Sequence, residues 1–103
     1  MNVPLDACVP RPLREHLTGY NVRTAQEMGW GQLKNVDLLR AAEARFDIFL
    51  TSYKRLKYQQ ALTGRKLAIL VLPTNDWTVL RAMTDSVLSA LQKLSPGEYS
   101  EIP

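Results

Sequence analysis

Two short aliphatic runs restrict this chain more than any other feature. "DIFLT" at 47–51 and "LAILVL" at 67–72 are rich in branched side chains and show little polar alternation. Strands with one wet face alternate, whereas strands covered on both faces read as continuous apolar runs. Both runs are therefore expected as interior strands with material packed on each side. Three weaker signals join them. "NVPLD" at 2–6 reads as a third strand that Pro4 weakens or places irregularly, and "YNVRT" at 20–24 as a short fourth bounded by Gly19. "YSEI" at 99–102 follows the turn signal Pro96-Gly97 and reads as an edge strand.

Helical patterns fill the intervals. Pro10 and Pro12 suit a helix start, with Leu13 and Leu17 four apart on one face. Asn35 suits the N-cap of a helix running to about Arg45, with Val36, Leu39, Ala42 and Phe46 at helical spacing. Residues 54–62 form a short helix that stops before Gly64. The longest helix is expected over 76–94, opened by Asn75 or Asp76, with Val79, Met83, Val87, Ala90, Leu91 and Leu94 as its apolar stripe. Strand alternating with helix implies right-handed crossovers and a largely parallel sheet with helices on both faces. The expectation is an α/β fold, a three-layer α/β/α arrangement around a mainly parallel sheet of four or five strands.

The totals agree. A chain of 103 residues with 46% apolar and 22% charged residues is expected to be one domain, spanning 1–103, with its own core. The single cysteine, Cys8, has no partner for a disulfide or a zinc site, and "MNVPLDACVPRPL" lacks a basic lead followed by a long apolar stretch. A cytoplasmic protein without a signal peptide is expected. No aliphatic run is long enough to span a bilayer, so no membrane role is expected. The net charge of +3 permits nucleic-acid binding without demanding it. Lys54, Arg55, Lys57, Arg65 and Lys66 are close together, as are Arg11 and Arg14. Such runs are either a solvated face or a grip for phosphates.

In an open α/β sheet, ligands collect beyond the carboxyl ends of the strands, where the strand order reverses. Asp6, Ala7 and Cys8 stand past the first strand, Ser52, Tyr53 and Lys54 past the strand ending at Thr51, and Pro73 to Asp76 past "LAILVL". Were Asp6, Asp37 and Asp76 to converge, three carboxylates would suit Mg²⁺ or Mn²⁺, hard cations that take oxygen ligands. Asp37 and Asp76 have a plainer explanation, because acids favour helix N-termini as caps and dipole partners.

Other residues carry paired readings. Cys8 is expected as a buried structural thiol, the alternative being a reactive one. His16 reads as a surface histidine, since nothing nearby is spaced as nucleophile or orienting acid. Trp30 in "GWGQ" reads as a loop anchor, with a base-stacking platform as the alternative. Tyr58, Gln59 and Gln60 either line a nucleic-acid groove or dress a helix.

"PLDACVPRPLREHL", "VRTAQEMGWGQLKNVDLL", "FDIFLTSYKRLKYQQALTGRKLAILVLP" and the closing "PGEYSEI" together resemble a small bacterial PIN-like family related to PIN-domain toxin nucleases. The likeness covers nearly the whole chain and follows the same segment order. It implies a parallel-sheet fold with an acidic metal pocket at the carboxyl edge, and metal-dependent cleavage of RNA in a toxin–antitoxin or defence setting, with a cognate antitoxin protein as partner. Asp6 matches the family's first acid and Asp37 the acid that opens the middle helix. These two are the implied catalytic residues, with Asp76 as a third ligand on geometry alone. Arg11, Lys54, Arg55, Lys57, Tyr58 and Gln59 are the expected nucleic-acid contacts.

The chain departs from that family at two places. Ala7 stands where a Glu is usual, and Tyr53 where an Asp is usual, with Lys54 and Arg55 in place of a basic residue and Asn. Tyrosine, with a pKa of about 10, offers a neutral hydroxyl and ligates magnesium poorly. The remaining set suits an anion better than a metal, so a catalytically degenerate module that binds RNA or a protein through its basic edge is the rival expectation. A third is a homodimer paired through "YSEI".

Overall fold

β1 (Asn2–Leu5), β2 (Asn21–Thr24), β3 (Ile48–Thr51), β4 (Ala68–Val71) and β5 (Tyr99–Glu101) form one sheet in the order β2-β1-β3-β4-β5. Every neighbouring pair is parallel. The computed structural model describes residues 2–6, 8–30, 40–42, 45–52 and 67–102. The α/β class expected from the sequence is present, and each expected strand appears, shortened by one residue at one end or at both.

β3 and β4 are buried along their whole length, and alternate side chains go to opposite faces of the sheet. Ile48, Leu50, Ala68 and Leu70 join Val3 and Leu5 in one core, covered by Val9, Leu13, Leu17, Leu80, Val87 and Leu91. Phe49, Ile69 and Val71 join a second core with Ala25, Trp30, Ala42, Phe46 and Leu67. The lack of alternation in the two aliphatic runs is thus the signature of two cores, one on each face.

Pro4 sits inside β1, an interior strand, where a missing N–H is normally excluded. The pairing explains why it is tolerated. Asp6 donates its N–H to the Leu50 carbonyl at 2.9 Å. Two residues earlier on the same side of the strand is Pro4, which has nothing to donate. The β1–β3 ladder is accordingly confined to Leu5↔Leu50, while β1 pairs with β2 over all four residues.

The proline-rich start yields a 3₁₀ helix, Arg11–His16, rather than an α-helix, with Pro10 as N-cap. Leu13 and Leu17 are both buried beneath it. Residues 40–42 and 45 are helical, and Ala42 and Phe46 are buried as their spacing suggests. The remainder of the Asn35–Arg45 helix and the whole 54–62 helix lie outside the described residues. The expected 76–94 helix is interrupted. It comprises α1 (Trp77–Leu80), a 3₁₀ turn (Arg81–Met83) and α2 (Thr84–Lys93).

Val79 is a correction. Assigned to the apolar stripe by its spacing of four from Met83, it is 48% exposed, while Leu80 is fully buried. At 3.6 residues per turn, a run of +4 steps drifts around the helix, so Val79 ends roughly 120° from Leu91, whereas Leu80 lies within about 20° of it. Val87 and Leu91 complete the buried face, with Met83, Ala90 and Leu94 packed partly against it.

At the end of β2 the Thr24 N–H, which points away from β1, donates to Glu27 Oε1, and the Glu27 N–H donates to Thr24 Oγ1, both at 3.1 Å. Arg14 pairs with the same carboxylate. The exposed edge strand thus ends in a closed reciprocal pair that offers no donor to another chain. These bonds, led by that from the Thr24 backbone, hold the Glu27 carboxyl below its ordinary 4.5.

Two predictions follow from the packing and one charge. Leu70→Ala costs about 2–5 kcal/mol in urea unfolding, whereas Val79→Thr stays within about 0.5 kcal/mol; equal losses would contradict the face assignment. Glu27 has a depressed folded pKa, so its contribution is complete above 4.5 and is lost as pH falls through the lower folded value. Glu27→Gln should lower the melting temperature at neutral pH, with the gap from the parent closing under acid.

Candidate functional site

The chain leaves β1 for β2 on one side and then returns to β3 on the other, so the connections after β1 and β3 run in opposite directions. That divergence falls between the carboxyl ends of β1 and β3, the usual ligand position in a doubly wound sheet. Asp6 is the first residue past β1 and Thr51 the last of β3.

Thr51 is completely buried, one of two polar side chains in the described core. Its hydroxyl donates to Asp6 Oδ2 at 2.8 Å. With the Asp6 N–H already on Leu50, the aspartate is tied to β3 by both backbone and side chain. Val9 donates its N–H to the Asp6 carbonyl at 3.0 Å, turning the chain so that Cys8 comes back over β3. Ser52 Oγ donates to Cys8 Sγ at 3.0 Å, and the same sulfur lies 3.9 Å from Thr51 Oγ1. A carboxylate, two hydroxyls and a thiol therefore bridge the mouth of the β1–β3 seam. Cys8 is exposed, which corrects the expectation of a buried thiol. The turn lifts it out of the core, and Val9 fills the buried position instead.

Asp76 also follows a strand at this edge, but its carboxylate works locally. Oδ1 accepts the Thr78 N–H at 2.9 Å and so caps α1. Its own N–H donates to Thr74 Oγ1 at 3.0 Å. Among the described residues no three His, Cys, Asp or Glu side chains are grouped to hold a metal ion. Arg11 is exposed and opens the 3₁₀ helix that follows the Asp6 turn. Asp37, Ala7, Tyr53, Lys54, Arg55, Lys57, Tyr58 and Gln59 lie outside the described residues.

Trp30 takes the anchoring role. It is 8% exposed, its ring meets Phe46 edge-on with centroids 5.8 Å apart, and its backbone N–H donates to the Ala25 carbonyl at 2.8 Å. His16 is exposed and rests its ring against Trp77 at 5.5 Å between centroids. Thr51 is the site residue that motif reading passed over. Its signal was a lone hydroxyl closing an otherwise aliphatic strand, a polar group that must find a partner once buried.

A scan of family models, a search of curated proteins and a search of solved structures each return no match to this chain.

Thr51→Val keeps the shape but removes the donor to a half-buried carboxylate, and is expected to cost about 1–3 kcal/mol. Thr51→Ser retains the hydroxyl and should keep part of that stability. Equal losses in urea titrations would mean that the methyl, not the hydrogen bond, is what the site needs.

Proposed function

We propose that this chain is a PIN-like domain of the metal-dependent ribonuclease type, with a depleted acidic site in the crevice between β1 and β3. The observation that supports it is the setting of Asp6. A carboxylate stands at the first residue past β1, at the point where strand order reverses, and a buried threonine orients it. The two cores on opposite faces favour the three-layer α/β/α arrangement that the reading requires.

Magnesium is commonly held by one or two carboxylates together with waters and substrate phosphates. Asp6 and Asp37 are the two this chain offers, and the ion would neutralise charge on a phosphate oxygen. The described residues contribute only Asp6, two hydroxyls and a thiol, and Asp76 is engaged at a helix N-terminus. That set by itself does not fit a hard cation.

The same observation favours a second reading. With Ala7 and Tyr53 lacking carboxylates, the fold serves as a module that binds RNA, or a protein partner such as an antitoxin, without cleaving. Lys54, Arg55 and Lys57 supply positive charge, with Arg11, Tyr58 and Gln59 as further contacts. A homodimer through β5 belongs to neither reading. Among the described residues no helix is long and apolar enough to cross a membrane.

Thermal unfolding with Mg²⁺ or Mn²⁺ separates the readings. A metal-holding site raises the melting temperature, by about 2.7 kcal/mol of stability at a hundredfold excess over Kd, and Asp6→Ala abolishes the rise. A flat response eliminates the metal-dependent reading. RNA binding should then weaken with salt, and Lys54→Glu with Arg55→Glu should reduce the salt slope by about two phosphate contacts. No RNA binding in either metal condition overturns the ribonuclease reading and the RNA-binding form of the second.

A further inference from the structure

Two connections pack together on one face of the sheet. The first runs from the Asp6 turn through the 3₁₀ helix Arg11–His16 to β2, and the second from β4 into α1 and α2. Leu13 and Leu17 of the first share a core with Leu80, Val87 and Leu91 of the second. Where the two meet, His16, the last residue of the 3₁₀ helix, sets its imidazole against the indole of Trp77, the first residue of α1. The ring centroids are 5.5 Å apart and the planes are inclined at 46°. Trp77 also packs against the shared core, whereas His16 is exposed.

This contact joins the chain's one histidine to a tryptophan. Histidine is the side chain whose ordinary charge change falls between pH 5 and 8. A neutral imidazole gives the indole an ordinary ring contact. An imidazolium within about 6 Å of a ring centroid adds the attraction of a cation for the π system, which is strongest for tryptophan. The other charges nearby are accounted for. On the 3₁₀ helix itself stand Arg11, Glu15 and Arg14, the last paired with Glu27. The elements packed against it bring Arg23 of β2, Asp76 and Arg81 at the two ends of α1, and Asp85 and Lys93 of α2. Among the described residues none of these forms an ion pair with His16.

We infer that His16 and Trp77 form a proton-operated latch between the two connections, tightened when the imidazole is protonated and slackened when it is neutral. The sign follows from the charge. The contact favours the charged ring, so its added stability is present on the acid side of the histidine range and is lost as pH rises through that range. The latch bears on the segment that leaves the carboxyl edge of the sheet, because the first connection begins with the turn at Asp6 and carries Cys8. It does not depend on the PIN-like reading.

The test is a double-mutant cycle in the whole chain, with His16→Gln, Trp77→Leu and the two combined, melted at pH 5.5 and at pH 8. At pH 5.5 the two single losses in melting temperature should sum to about 3 °C more than the loss in the combined variant. At pH 8 most of that excess should vanish. His16→Arg, charged throughout, should keep the excess at both pH values. If Trp77→Leu fails to fold, the variants that leave Trp77 in place decide the matter: the parent should melt with His16→Arg in acid and with His16→Gln at pH 8. Glu15→Gln and Asp76→Asn, which remove charge but keep hydrogen-bonding capacity, should leave the pH dependence unchanged. An equal excess at both pH values makes the contact plain packing and overturns the inference, as does no excess at either. Loss of the pH dependence in Glu15→Gln or Asp76→Asn assigns it to a carboxylate and overturns the inference too.

Discussion

The bond from the Asp6 N–H to the Leu50 carbonyl fastens β1 to β3, and the candidate site rests on it. Pro4 deprives the two strands of a donor one repeat earlier, so their ladder is made only at the carboxyl end. That end is also where a doubly wound sheet opens its crevice. The backbone bond and the Thr51 hydroxyl converge on the same aspartate, one through its amide and the other through its carboxylate. An acid clamped in this way has a defined direction without being fully removed from water. The connection to function is therefore mechanical: the contact that joins the two halves of the sheet also aims the residue on which the proposed site depends.

Charge is divided unevenly over the same frame. The basic residues outnumber the acids, yet several acids are held by hydrogen bonds to groups close by in the chain. Glu27 forms a further local centre, holding Arg14 and the last backbone donor of β2. One acid thus ends pairing at the β2 edge, while Glu98 closes the turn before β5. Each has a structural partner as well as a charge. An exposed ion pair such as Arg14–Glu27 contributes little by itself, and its effect lies in which strand edge remains open to pairing.

Much of the candidate site could be read along the chain. Asp6 was identifiable because it follows a strand and precedes a turn, and Asp76 because an acid before a helix has two explanations. For Asp76, helix capping is the one with a hydrogen bond behind it. Thr51 and Cys8 were less accessible. A threonine at the end of an aliphatic run looks like a strand residue, and only the pairing of β3 with β1 shows that its hydroxyl faces a carboxylate from 45 positions earlier. Cys8 looked buried by residue type, and the tight turn from Asp6 to Val9 reversed that.

The sequence by itself determined the class of fold and the five strands, because burial on both faces demands continuous apolar runs and turns demand Gly and Pro at their ends. It also determined which leucines are interior wherever the periodicity was short and unbroken. Tertiary structure alone decided the strand order, the tolerance of Pro4 and the interruption of the long helix. Those outcomes depend on which backbone groups meet across the sheet and on how the helices pack against it. Both are set by contacts between distant parts of the chain, and local composition carries no record of them.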